Sequence, residues 1–181
     1  MMLRCLVVSL ALAGAGALQA ARSARSSVTM GLAVGDKFPQ SALAKCGVKG
    51  SAVVFFYGAD DAPSCSKQIA AFDGAAAEFA AAGVAVVGVR NAAGVKAGGP
   101  SAFRLVVDEG DAMRTEFGIA KDFFVLGGRE TYVLDAAGSI VAVHNNQFDP
   151  ESHVAVARAA VNALPKAKTG GSPFDGLFGK K

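Results

Sequence analysis

Three cysteines, Cys5, Cys46 and Cys65, carry the nucleophilic chemistry open to this 181-residue chain. Cys65 has the most suggestive setting. It follows Gly58-Ala59-Asp60-Asp61-Ala62-Pro63-Ser64. Pro63 suits the first turn of a helix, with Asp61 or Ser64 as its cap. A cysteine in that turn meets backbone N–H groups that have no intrahelical acceptor, and the positive end of the helix dipole. Both favour an anion, and the thiolate is the form of cysteine that acts as a nucleophile. Lys67 adds positive charge close by. Cys46, in Lys45-Cys46-Gly47-Val48-Lys49-Gly50, reads as an exposed thiol on a turn-rich loop. The chain has no CxxC and no Cys/His cluster at ligand spacing, so no structural metal and no cofactor are expected. Asp60-Asp61 reads as a solvated loop or cap rather than a metal site. His144 and His153 read as structural or exposed, with neither paired to a nucleophile.

The elements that position Cys65 follow from periodicity. Residues 52–57, Ala-Val-Val-Phe-Phe-Tyr, form a continuous apolar run suited to a strand covered on both faces. After the polar loop, Ile69, Phe72, Ala76 and Phe79 recur at helical spacing, and Gly83 provides a stop. A second buried strand covers 85–89, which implies a parallel βαβ unit. Residues 91–100 are small and Gly-rich, hence loop. A short strand is expected at 103–107 and a short helix at 111–117. A hairpin follows, with strands leading through 131–134 and 140–144 about a turn at 135–139. Asp149-Pro150 starts a last helix that ends at Pro165. The fold class is α/β, a thioredoxin-like fold with a central mixed β-sheet flanked by helices.

Composition bounds the rest. Apolar residues make up 52% of the chain, which fits a globular core. Residues 3–18 are an apolar run too short for a comfortable membrane span and resemble a signal-peptide core. Residues 21–30 are rich in Arg and Ser, in the manner of a transit peptide. The expected organisation is a targeting leader at 1–30, one domain at 31–165 and a flexible tail at 166–181. Such a bipartite leader points to a plastid of secondary origin, the alternative being secretion or the endomembrane system. No stable membrane insertion is expected after its removal. The net charge of +3 resides in the leader, whose three arginines face no acid; beyond it, 15 basic residues match 15 acidic ones. No basic face remains to suggest nucleic acid.

Several separated motifs agree in order and spacing with one family. They are Asp108-Glu109-Gly110, Glu116-Phe117-Gly118, residues 128–135 (Gly-Arg-Glu-Thr-Tyr-Val-Leu-Asp), Asn145-Asn146-Gln147-Phe148, Pro150-Glu151 and His153. With Phe56-Tyr57, Pro63, Cys65 and Lys67-Gln68, they make the chain resemble the peroxiredoxin Q family, the plant-type relatives of bacterioferritin comigratory protein, over roughly residues 34–164. The resemblance implies a monomeric thiol peroxidase in which Cys65 attacks hydrogen peroxide or an organic hydroperoxide and becomes a sulfenic acid. It implies that Arg129 lies beside Cys65 and stabilises the thiolate and the charge developing on the peroxide oxygens. Pro63, Ser64 and Ser66 would support the loop.

The chain departs from that family at Gly58, where a proline is usual. At Ala62 the family has a threonine whose hydroxyl bonds the thiolate and the peroxide. At Ala70 many members carry the resolving cysteine. The 91–100 loop also looks shorter than the family's. Resolution then falls to Cys46 as an atypical resolving thiol, to an external thiol such as thioredoxin, glutaredoxin or glutathione, or to a Cys65–Cys65 dimer. The one-cysteine cycle with an external reductant is the reading adopted. The rival class is a degenerate thioredoxin-fold redox sensor or partner-binding protein with weak peroxidase activity, which Ala62 and Ala70 favour.

Overall fold

The computed structural model describes residues 31–94, 102–121 and 127–165. The leader assigned to 1–30, the tail at 166–181 and most of the 91–100 loop lie outside the described residues.

Strand β1 (Ala52–Tyr57) is buried along its whole length. Successive side chains of a strand point to opposite faces, and β1 feeds two cores in this way. Ala52, Val54 and Phe56 pack with Phe38, Met113, Phe117 and Tyr132. Val53, Phe55 and Tyr57 pack with Phe72, Phe79, Val133 and Val154. Helix α2 (Pro63–Ala81) carries the chain from β1 to β2 (Ala85–Asn91), which pairs parallel with β1 from Ala52 opposite Ala85 to Tyr57 opposite Arg90. Strand β3 (Arg104–Asp108) extends the parallel half. Strands β4 (Glu130–Leu134) and β5 (Ile140–Asn145) form an antiparallel hairpin on the other side of β1. Among the described residues the sheet order is β3-β2-β1-β4-β5. Helices α2 and α4 (Ser152–Ala163) supply one core. Helices α1 (Gln40–Cys46) and α3 (Ala112–Glu116) supply the other. This is the thioredoxin-like arrangement expected, a mixed sheet between two helical layers.

Three local expectations are corrected. Residues 40–46 form a helix that runs into the start of the 45–50 stretch expected as a turn-rich loop. Ala42 and Cys46 recur at helical spacing and bury the inner face, and Gly47, at φ +65°, ends the helix in the left-handed conformation that glycine accepts most readily. Cys46 is therefore not an exposed loop thiol; it closes α1 and is 1% exposed. Neither Asp61 nor Ser64 caps α2, because Ala62 occupies the cap position and no side chain bonds there. Asp149 is not the cap of α4 either: the helix starts at Ser152 with Glu151 in the cap position and no side-chain cap bond, although the Asp149 carboxylate accepts the Ser152 N–H at 3.1 Å from the turn before it. Among the described residues no helix is long and apolar enough to cross a membrane.

Candidate active site

Cys65 is the third residue of α2, after Pro63 and Ser64. Pro63 has no N–H to satisfy, so the first-turn donors begin at Ser64 and Cys65. With no side-chain cap over them, the N-terminal end of α2 stays open towards the loop. The thiol is buried, only 5% exposed. Gly58, just after β1, lies beside it: a Cβ there would stand 3.9 Å from Cys65 Sγ, an ordinary van der Waals contact.

Arg129 immediately precedes β4 and is 1% exposed. Its Nη1 donates to the Ser64 carbonyl at 3.1 Å and its Nη2 to Ser64 Oγ at 2.9 Å. Nη2 also lies 3.5 Å from Cys65 Sγ. One guanidinium thus clamps the first turn of α2 and touches the sulfur. Its planar fork permits this, where a lysine would offer one rotating ammonium. Gly128 sets the position of that arginine. A Cβ there would stand 2.1 Å from the Ala120 carbonyl oxygen, so only glycine lets the two backbones approach.

The loop between β1 and α2 is held by ties the sequence did not reveal. Asp60 pairs with Arg90 at the end of β2 and accepts the Tyr57 hydroxyl at 2.8 Å. It is a buried anchor, not the solvated acid expected. The burial of Tyr57, followed by its bond to Asp60, raises the tyrosine pKa well above its ordinary value. Ser66 Oγ donates to the Asp60 carbonyl at 3.1 Å and so is turned to the loop backbone instead of the sulfur. Gly94 approaches the same loop from β2, its carbonyl accepting the Asp60 N–H at 3.0 Å. Below the site, the buried Arg114 donates to the Tyr57 carbonyl at 2.6 Å and pairs with Asp108 at 3.1 Å. Asp108 in turn accepts the N–H groups of Met113 and Arg114, which starts α3. Arg114 is a second buried cation near this end of the sheet. Partners in four distant segments define these roles, and no local pattern announces them.

His153 is buried, and its Nε2 lies 3.0 Å from the Asn146 carbonyl. A carbonyl only accepts, so Nε2 carries the proton. Burial holds the ring neutral, with its pKa lowered from 6.5 to about 4. Nδ1 therefore accepts from the Thr131 hydroxyl at 2.8 Å. The histidine is structural, as expected, and it ties β4 to the Asn146-Gln147-Phe148 loop.

A pocket of about 470 Å³ opens at Cys65. Gly58, Ala62, Ser64, Arg129, Asp111 and Gln147 are among its lining residues. Cys46 is not among them. It belongs to the α1/α3 core, whereas Cys65 belongs to the α2/α4 core, so the sheet lies between the two free thiols. Burial pushes the Cys46 thiol up to about 11, the nearby Arg104 only partly offsetting it. Ala70, where a resolving cysteine was looked for, is exposed on α2. Among the described residues no three His, Cys, Asp or Glu side chains gather as a metal ion would require.

The AhpC/TSA family matches residues 33–143, well over half of the chain. The chain belongs to the AhpC/TSA family. Among curated relatives, the chloroplastic peroxiredoxin Q of Sedum lineare is 44% identical over 110 residues, covering 56% of this chain and 58% of that protein. The match thus spans little more than half the length of that relative. Among solved structures, peroxidoxin BcpB from Mycobacterium tuberculosis superposes with a TM-score of 0.58 at 23% identity, over 73% of this chain and 97% of that one. That likeness bears on the fold. The bacterioferritin comigratory protein of Xanthomonas campestris gives a TM-score of 0.53 at 27% identity, over 64% and 79%. These matches agree with the peroxiredoxin Q resemblance carried by the sequence motifs.

Proposed function

We propose that this AhpC/TSA family member is a thiol peroxidase with Cys65 as its attacking residue. The contact of Arg129 with both Ser64 and Cys65 Sγ, at the open start of α2, is the observation that carries the reading. The first-turn N–H groups and the guanidinium present positive charge to a thiolate and to the oxygens of a bound hydroperoxide. The thiolate attacks one peroxide oxygen, an S–O bond forms as the O–O bond breaks, and two electrons pass from sulfur to oxygen. Cys65 becomes a sulfenic acid, and the departing alkoxide or hydroxide takes a proton to leave as alcohol or water. The Xanthomonas campestris relative has been studied for alkyl peroxide reduction, which supports organic hydroperoxides as substrates beside hydrogen peroxide.

The sheet between Cys46 and Cys65 favours a one-cysteine cycle. A disulfide needs Cα atoms within about 7 Å. An external thiol, thioredoxin first and glutaredoxin or glutathione as alternatives, then returns the sulfenic acid to the thiol. The chloroplastic names of the relatives support a plastid location through the leader at 1–30.

A peroxide-consumption assay coupled to thioredoxin, thioredoxin reductase and NADPH tests the function. Turnover that disappears in Cys65→Ser is expected. The same background consumption by both proteins would leave the partner-binding reading in its place. For location, residues 1–33 fused to a fluorescent reporter should direct it to the plastid, and signal elsewhere would reject that assignment.

A further inference from the structure

We infer that Gln147 is a substrate contact, its side-chain oxygen accepting the O–H of the bound hydroperoxide. This rests on the peroxidase reading and names how the same pocket holds its substrate.

A hydroperoxide has acceptor oxygens and, in an organic hydroperoxide, a single O–H donor. A pocket that orients it must supply an acceptor as well as donors. Donors are plentiful at Cys65, from Arg129 and the first turn of α2. Acceptors are not. Ala62, at the cap of α2, has no hydroxyl to offer. Ser64 Oγ accepts from Arg129 at 2.9 Å. Asn91 Oδ1 accepts the Ala93 N–H at 2.8 Å. Asp111 takes the Asn91 amide on Oδ1 and lies 3.9 Å from both Arg114 and Lys121, so its carboxylate already faces two cations. Gln147 differs from all of these. It lines the pocket, and its Oε1 is buried without a hydrogen-bond partner among the described residues. A buried carbonyl oxygen left unpaired costs on the order of 1–3 kcal/mol, so a donor that reaches it from the pocket Gln147 lines would satisfy it.

The backbone of Gln147 is fixed from both sides. The Asn146 carbonyl accepts from His153 Nε2 at 3.0 Å. Asn146 Oδ1 accepts the N–H groups of Phe148 and Asp149, each at 3.1 Å. His153 also accepts from Thr131, in β4 two residues beyond Arg129. Donor and acceptor sides of the pocket are therefore built on one framework. With the O–H held by Gln147 and the oxygens by Arg129, the hydroxyl oxygen can be presented to the sulfur while the other oxygen leaves.

Gln147→Met keeps the side-chain length and removes the acceptor. In single-turnover stopped flow with hydrogen peroxide, this variant should oxidise Cys65 about tenfold more slowly than the wild type. Its alkylation by iodoacetamide, which has no O–H to place, should proceed at the wild-type rate, with an unchanged thermal midpoint. Equal peroxide rates in wild type and variant would overturn the inference, as would a parallel loss of peroxide and iodoacetamide rates. A wild-type enzyme no faster than a free thiol would instead remove the peroxidase reading itself, whatever the variant does.

Discussion

Arg129, the residue just ahead of β4, reaches Cys65 Sγ at 3.5 Å across 64 residues of sequence. The contact joins the helical half of the βαβ unit to the antiparallel half of the sheet. It depends on β1 being the strand that both halves share, parallel to β2 and antiparallel to β4. If the site works through this contact, its parts should fail in distinguishable ways.

Arg129→Met should slow oxidation of Cys65 by peroxide about a hundredfold, the usual loss when one aimed donor is removed from a site of developing negative charge. Arg129→Lys should recover only part of this. An ammonium keeps the charge but cannot bond the Ser64 carbonyl, the Ser64 hydroxyl and the sulfur from one rigid plane. Stopped-flow rates over a peroxide series, with circular dichroism as a fold control, measure both.

Gly128→Ala tests the backbone beneath that arginine. The new methyl would meet the Ala120 carbonyl at 2.1 Å and Ile119 at 2.7 Å. The chain must shift to admit it, which should cost about 1–3 kcal/mol in urea unfolding. Because the shift moves Arg129, the peroxide rate should fall as well. A stability loss with an intact rate would separate the two roles.

His153 makes stability depend on pH. Its pKa in the folded protein is about 4, against 6.5 for the free side chain. Burial is the main cause, with His144 and Arg129 adding repulsion; the bond to the Asn146 carbonyl and, less, Asp149 partly oppose it. Between these values the unfolded chain binds a proton that the folded chain does not. The contribution is thus complete above pH 6.5 and is lost as pH falls towards 4. It is on the order of 3 kcal/mol from the size of the shift. Urea midpoints measured from pH 7.5 to 4 should show this slope, and His153→Gln should flatten it.

Cys46→Ala should leave turnover with excess thioredoxin unchanged. It removes a sulfur from the α1/α3 core and should lower stability by about 1 kcal/mol. Loss of turnover would restore Cys46 as a resolving thiol.

The legible and illegible parts of this molecule divide by sequence distance. The helix start at Cys65 could be read because Pro63, the loop before it and the strand at 52–57 are local signals. The sheet could be read because a fully apolar run demands cover on both faces. Helix α1 was missed, although Ala42, Cys46 and the Gly47 stop carried its signal; Pro39 and the lysines made the stretch look like a loop. Arg129 stood out only through the family motif, since a single cation before a strand has no pattern of its own. Asp60 was misread because its partner Arg90 is 30 residues away, on another strand. The His153 network had the same obscurity, being formed by groups 7 and 22 residues distant inside the core. Gln147 entered as one letter of a motif, and only the pocket it shares with Cys65 set it apart.

The most direct measurement is the second-order rate constant for oxidation of Cys65 by hydrogen peroxide, followed by stopped flow on the reduced protein. A sulfenic acid trapped at Cys65 and identified by mass spectrometry should accompany it. The account predicts a rate at least about a hundredfold above that of free cysteine at the same pH, lost in Arg129→Met. A rate equal to that of free cysteine, or oxidation that appears at Cys46 instead, would contradict it.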